Sequence, residues 1–194
     1  MKNILILLLF FIVKVNAQFN EKTLVYGSFE IQAGNYFGFN ANINYIHNNK
    51  YSFKLGYTGL SRNDNDTPSD FEYNSGIFSS HDRLGNYYLL VGKIYQIKVT
   101  PKKSIRANMA FGFGYLLIRE PINYKLSGGG WFSNSNYTWD YNRIDTFSFV
   151  VNPKVEFLLN GAIGVSFSPL IQLSKKRSYF GAGAGLFFRL IKKR

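Results

Sequence analysis

Between residues 37 and 60 the chain alternates apolar and polar positions on both sides of a short polar break. Phe37, Phe39, Ala41, Ile43 and Tyr45 alternate with Gly38, Asn40, Asn42 and Asn44. After His47, Asn48, Asn49 and Lys50, the residues Tyr51, Phe53, Leu55 and Tyr57 alternate with Ser52, Lys54, Gly56 and Thr58. A period of two sends successive side chains to opposite faces of a strand. Two such runs around a tight polar turn predict an antiparallel hairpin with one apolar and one polar face.

The unit recurs along the chain. Further strands are expected at about 23–33, 87–99, 105–115, 147–157, 163–172 and 180–190. Short turns fall at Gly34 and Asn35, at 101–103, at Asn160 and Gly161, and at 175–177. Two polar stretches, 61–84 and 119–145, read as long loops. Strand 87–99 is apolar on both faces, with Tyr87, Leu89 and Val91 opposing Tyr88, Leu90 and Ile94, so its register stays open. Pro153 lacks a ladder donor and predicts a bulge or local irregularity. Eight strands in all, with short and long connections alternating, return both termini to one side and gather the long loops on the other.

The first 17 residues stand apart. Lys2, the apolar run 4–13 and Val15-Asn16-Ala17 predict a secretory signal peptide over 1–17, leaving 18–194 as one domain. The rival reading, a membrane anchor, fails on length, because Lys14 ends the run at about half the ~20 residues a spanning helix needs. No other stretch is long enough, so an exported chain that crosses a membrane must do so as a closed sheet. The absence of cysteine excludes disulfides and thiolate metal sites. The formal charge of +12 falls to +10 without Lys2 and Lys14. Behind a signal peptide, that charge points to anionic lipid and lipopolysaccharide phosphates and away from nucleic acid.

A soluble lipocalin-type barrel would alternate in the same way with its apolar face inward. The polar faces favour the membrane reading over this alternative: they are rich in Gly, Ser and Asn, with charges at Glu30, Lys54, Arg106, Lys154, Glu156 and Arg189. Small residues with a few charges suit the filled interior of an eight-stranded barrel, whereas a solvated wall carries more long charged side chains. Reversed in a membrane, each cation would cost about 2–4 kcal/mol at midplane. The expected fold is therefore all-β: an eight-stranded antiparallel up-and-down transmembrane β-barrel whose six named charges face the lumen, with Arg106 pairing Glu156.

With Val15-Asn16-Ala17-Gln18 at its processing region and Gly185, Phe188 and Leu190 in its last strand, the mature chain resembles the small outer-membrane β-barrel families of Gram-negative cells, PorT-like proteins included. It departs from their terminal assembly signal, which ends on an aromatic residue, because Ile191, Lys192, Lys193 and Arg194 follow. The resemblance implies an integral outer-membrane protein with periplasmic termini and a structural or interaction role through its external loops.

Some barrels of this kind modify lipid A, which makes a lipid A-modifying enzyme the alternative function. His47 falls in a predicted periplasmic turn and His81 in a loop beside Ser79, Ser80 and Asp82. Neither has the serine two residues on that a barrel deacylase carries. The reading is non-enzymatic, without cofactor or metal. Asp64, Asp66, Asp70 and Glu72 offer hard oxygens but lack the Gly and terminal Glu of a calcium loop. The best contact surface is Trp131, Phe132, Tyr137, Trp139 and Tyr141, which fits an envelope-protein partner, a membrane girdle or self-packing. A pore is disfavoured, since eight strands leave room only for side chains.

Overall fold

The computed structural model describes residues 23–64, 66–71, 81–99, 104–127, 136–159 and 162–191. The expected signal peptide, the turns at 101–103 and at Asn160 and Gly161, and Glu72, Trp131 and Phe132 lie outside them. The described residues form eight strands: β1 (Leu24–Gly34), β2 (Phe37–His47), β3 (Tyr51–Asn63), β4 (His81–Val99), β5 (Ser104–Leu126), β6 (Tyr137–Leu158), β7 (Ile163–Leu173) and β8 (Tyr179–Ile191). Each pairs antiparallel with its neighbour, and β8 returns to β1 to close the barrel. Closure removes both sheet edges, the condition for strands to cross a bilayer without orphaned backbone groups.

The hairpin of β2 and β3 has Asn44 opposite Lys54 and Ala41 opposite Tyr57. Its turn uses Asn48 and Asn49 with φ of 52° and 53°, closed by Lys50 N–H donating to the His47 carbonyl at 3.0 Å. Positive φ at both central residues is the geometry that matches strand twist, and asparagine tolerates it.

Three strands are longer than the sequence suggests. β4, β5 and β6 span 19, 23 and 22 residues, against 11 to 13 for the others. Residues 61–63 and 81–86 belong to β3 and β4, and most of 119–145 continues β5 and β6 as a projecting hairpin. Asn63 pairs with His81, and Glu120 with Asn142. Above the apolar wall the hydrophobic alternation stops, while the backbone ladder does not.

Pro153 produces an interruption without a bulge. Val151 pairs with Ile171 and Val155 with Phe167 in one unbroken register, which sets Pro153 opposite Pro169. Neither proline has an N–H to give, so the ladder lapses there and Asn152 Nδ2 donates instead to the Pro169 carbonyl at 2.9 Å.

Outside and inside alternate along every strand. Outward side chains include Phe29, Ile43, Phe53, Leu55, Leu89, Phe111, Phe113, Phe167 and Leu186, with Phe113 70% exposed. β4 resolves with Tyr87, Leu89 and Val91 outward and Asn86, Tyr88, Leu90 and Ile94 inward. The lumen is layered. An apolar cluster of Tyr36, Leu60, Leu84, Tyr88, Leu116, Ile118, Val150, Leu170 and Tyr179 fills the loop-bearing half. A second cluster of Tyr26, Ile46, Ile94, Leu158 and Phe187 fills the terminus-bearing end. Polar and charged side chains occupy the layer between.

Candidate functional site

The middle layer is a connected polar network. Glu30 on β1 receives the Lys154 ammonium at 2.8 Å and the hydroxyls of Ser166 and Ser168 at 2.7 Å each. Asn40 donates to it at 3.2 Å. The register sets Arg106 on β5 beside Glu156 on β6, and the two form an ion pair. Tyr26 donates to the other Glu156 oxygen at 2.6 Å. The Arg106 guanidinium lies over the Tyr26 ring, 4.6 Å from its centre, and 5.6 Å from that of Phe187. Lys154 also donates to Ser28 at 3.0 Å. Lys54, wholly buried, donates to Asn152 and forms no ion pair among the described residues. Arg189 is half-buried, opposite Tyr26 in register and within electrostatic reach of Arg106.

Such a network organises the interior. Its carboxylates are saturated with donors, and the apolar clusters separate it from both ends. Buried charges persist when paired and hydrogen-bonded; Glu30 with Lys154 and Glu156 with Arg106 meet that condition, and Lys54, held by Asn152 without a carboxylate, is the exception among the described residues.

A second cluster closes the loop-bearing end. Asp82 accepts from Tyr36 at 2.6 Å and from Arg62 Nε at 3.0 Å, while Arg177 bonds Glu120 at 2.8 Å and approaches Asp82 at 3.9 Å. Burial, reinforced by the bond to Asp82 and its charge, pushes the Tyr36 phenol well above its ordinary pKa. Burial disfavours the Arg177 charge, yet Asp82 and Glu120 outweigh it and raise the guanidinium's pKa. The turns β1–β2 and β7–β8 are thereby tied to β3, β4 and β5.

The predicted contact aromatics are partly spent on packing within the chain. Phe71, which the sequence did not single out, lies 6.0 Å from Tyr137, 5.8 Å from Trp139 and 6.2 Å from Tyr124, ring to ring. Tyr137 donates to Asp70 at 2.9 Å and Tyr124 to Asp64 at 2.9 Å. Asp64 and Asp70 therefore fasten their loop to the β5–β6 hairpin, and no cluster of three metal-ligating side chains occurs among the described residues. Tyr141 lies under the Arg83 guanidinium at 5.7 Å. His47, at the end of β2, and His81, at the start of β4, sit at opposite ends of the barrel and cannot share a site.

On the outer wall, Gly59 of β3 pairs with Gly85 of β4. Both line a surface groove of about 530 Å³, flanked by Phe37, Phe39, Tyr57 and Leu117 and bordered by Arg83 and Arg119, with the Phe39 ring against Gly59 and the Tyr57 ring against both glycines.

The fold has solved counterparts. The N-terminal β-barrel domain of Pseudomonas aeruginosa OprF superposes with a TM-score of 0.56 at 15% identity, over 88% of this chain and 98% of that domain. Ail, the attachment invasion locus protein of Yersinia pestis, gives 0.48 at 12% identity over 89% of this chain and all of Ail. No family model matches the chain, and no curated protein does. The resemblance thus holds at the level of small eight-stranded outer-membrane barrels, and the narrower PorT-like assignment has no support.

Proposed function

We propose that this chain is an integral outer-membrane barrel, termini in the periplasm, whose filled lumen serves stability and whose external face carries a structural or interaction role. The observation behind it is the predominantly apolar outer wall. Phe29, Ile43, Leu55, Leu89, Phe113, Phe167 and Leu186, drawn from seven of the strands, all point outward and are about half exposed or more. In water so large an apolar surface would drive aggregation. In a bilayer it is the required lining, and on β5 it runs from Ile105 to Leu117, enough for the ~9–11 residues of a tilted spanning strand.

The wall also disfavours a lipocalin-like binder, which would hold its apolar side chains inside. The separation of the two histidines supports a non-enzymatic role. Membrane fractionation combined with heat-dependent gel mobility tests the reading. The expressed chain should stay with the outer membrane and shift mobility on boiling. A soluble chain with one mobility would end the proposal.

A further inference from the structure

Three arginines stand side by side on the outer wall. Arg83 on β4 pairs directly with Arg119 on β5, and Arg119 pairs directly with Arg143 on β6. All three are exposed, and none forms an ion pair among the described residues. Like charges directly opposite on neighbouring strands destabilise a sheet, and the Arg83 guanidinium over the Tyr141 ring offsets only part of that cost. Asp145, the nearest acid along β6, is instead engaged by the Tyr115 hydroxyl at 2.9 Å.

The neighbouring rows fix where these arginines lie. Four residues back from each toward the apolar wall are, or pair in register with, Tyr87, Tyr115 and Phe147, with Tyr57 extending the row onto β3. Tyr57 and Tyr87 lie 4.7 Å apart, ring centre to ring centre. Tyrosine at the upper limit of an apolar wall marks the headgroup boundary. The arginines sit just beyond it, at the depth of lipid phosphates. Between the two rows lies the glycine-floored groove, its walls apolar and its upper border formed by Arg83 and Arg119.

We infer that this face is a lipid site: the arginine row takes the phosphates of an anionic, multiply acylated lipid of the outer leaflet, and the groove takes one of its acyl chains. The inference rests on the outer-membrane reading above. A guanidinium offers planar paired donors to phosphate oxygens, and a bridging anion turns mutual repulsion of the three cations into shared attraction. A ligand with two phosphates on a rigid sugar spans such a row better than a single-phosphate headgroup. Charge alone would serve a free anion equally well; the adjoining groove selects an acylated one.

The test uses the full folded chain in detergent micelles doped with lipid A or with phosphatidylcholine, with retained lipid read by native mass spectrometry. Lipid A should be retained in preference, and its de-acylated bisphosphorylated disaccharide should not displace it. The combined substitutions Arg83→Gln, Arg119→Gln and Arg143→Gln should weaken retention by roughly 100-fold, as expected for three cations at an anionic lipid surface. Lys125→Gln, Lys175→Gln and Lys176→Gln together remove equal charge elsewhere and should leave retention unchanged. Equal loss in that control, or displacement by the disaccharide, would overturn the site. If the triple variant does not fold, Arg119→Gln alone carries the test, with a loss of several-fold expected and unchanged retention counting against the site. A barrel that fails to shift on boiling would sink the membrane reading; one that shifts but shows no lipid preference would sink only this inference.

Discussion

Glu30 on β1 and Lys154 on β6 meet across the lumen at 2.8 Å, both without solvent exposure. The two ends of this bond are unequal. Without Lys154, Glu30 keeps Ser166, Ser168 and Asn40; without Glu30, Lys154 keeps Ser28 among the described residues and faces the ammonium of Lys54. Glu30→Gln should therefore destabilise the barrel more than Lys154→Met. Breaking a buried pair costs about 3–5 kcal/mol, and Glu30→Gln should lie in that range. Urea unfolding of the refolded barrel in micelles, followed by gel mobility, measures the difference; equal losses would show that the donors around Glu30 do not compensate.

Lys54 should behave in the opposite sense. It holds a buried positive charge with Asn152 as its partner and no carboxylate of its own. Lys54→Met keeps the volume and removes the charge, so stability should be unchanged or higher, as replacement of buried ionic groups by apolar ones often is. A loss above about 2 kcal/mol in the same unfolding assay would mean that Lys54 is held by more than its bond to Asn152.

Two glycines on neighbouring strands should separate cleanly. A Cβ on Gly112, inside the barrel, would fall 2.1 Å from the Leu89 carbonyl oxygen, a backbone atom that cannot move aside. A Cβ on Gly85, outside, would meet the Tyr57 hydroxyl at 3.0 Å, the free end of a side chain. Gly112→Ala should prevent the heat-shiftable form from assembling, while Gly85→Ala should assemble normally. Assembly of both would show that the wall at Gly112 relaxes.

Asp82 should govern the loop-bearing end. Asp82→Ala leaves Tyr36 and Arg62 without their acceptor and Arg177 with Glu120 alone. An unsatisfied buried group costs about 1–3 kcal/mol, and here the loss should be local. Hydrogen exchange should speed up in the β1–β2 and β7–β8 turns and stay unchanged at the β2–β3 turn. Uniform acceleration would mean that the cluster supports the whole barrel.

The loop between β3 and β4 gives a simpler readout. Phe71 and Asp70 anchor it on Tyr137 and Trp139. Phe71→Ala should expose 64–71 to protease several-fold faster without altering the heat shift. An unchanged digestion pattern would assign the anchoring to Asp64 and Tyr124 instead.

The alternation around residues 37–60 was enough to show two strands, and the scarcity of long charged side chains on their polar face was enough to show which way they turn. Arg106 and Glu156 could be paired on paper because both stand at inward parity near the same level of neighbouring strands. Three things resisted. Residues 119–126 and 137–145 read as loop because the hairpin they form rises beyond the apolar wall, so the hydrophobic period disappears while pairing continues. β4 read ambiguously because Tyr88 and Leu90 face an apolar part of the lumen, whereas a polar interior was assumed throughout. Leu60, Val150 and Leu170 stand at inward parity in the expected strands, whereas Leu84, Leu116 and Ile118 fall outside them; only closure of the ring shows that the six converge. The arginine row was hidden for a related reason, since 83, 119 and 143 become neighbours only through two registers.

The layered lumen has an electrical consequence. Its fixed charges lie between two dry plugs, one built on Tyr88 and Leu116 and the other on Tyr26 and Phe187. An ion moving along the axis would have to shed its water at the first plug, displace a saturated carboxylate or ammonium, and shed water again at the second. Such a column is expected to behave as an insulator with a polarised centre, holding opposite charges in a fixed arrangement between two apolar layers.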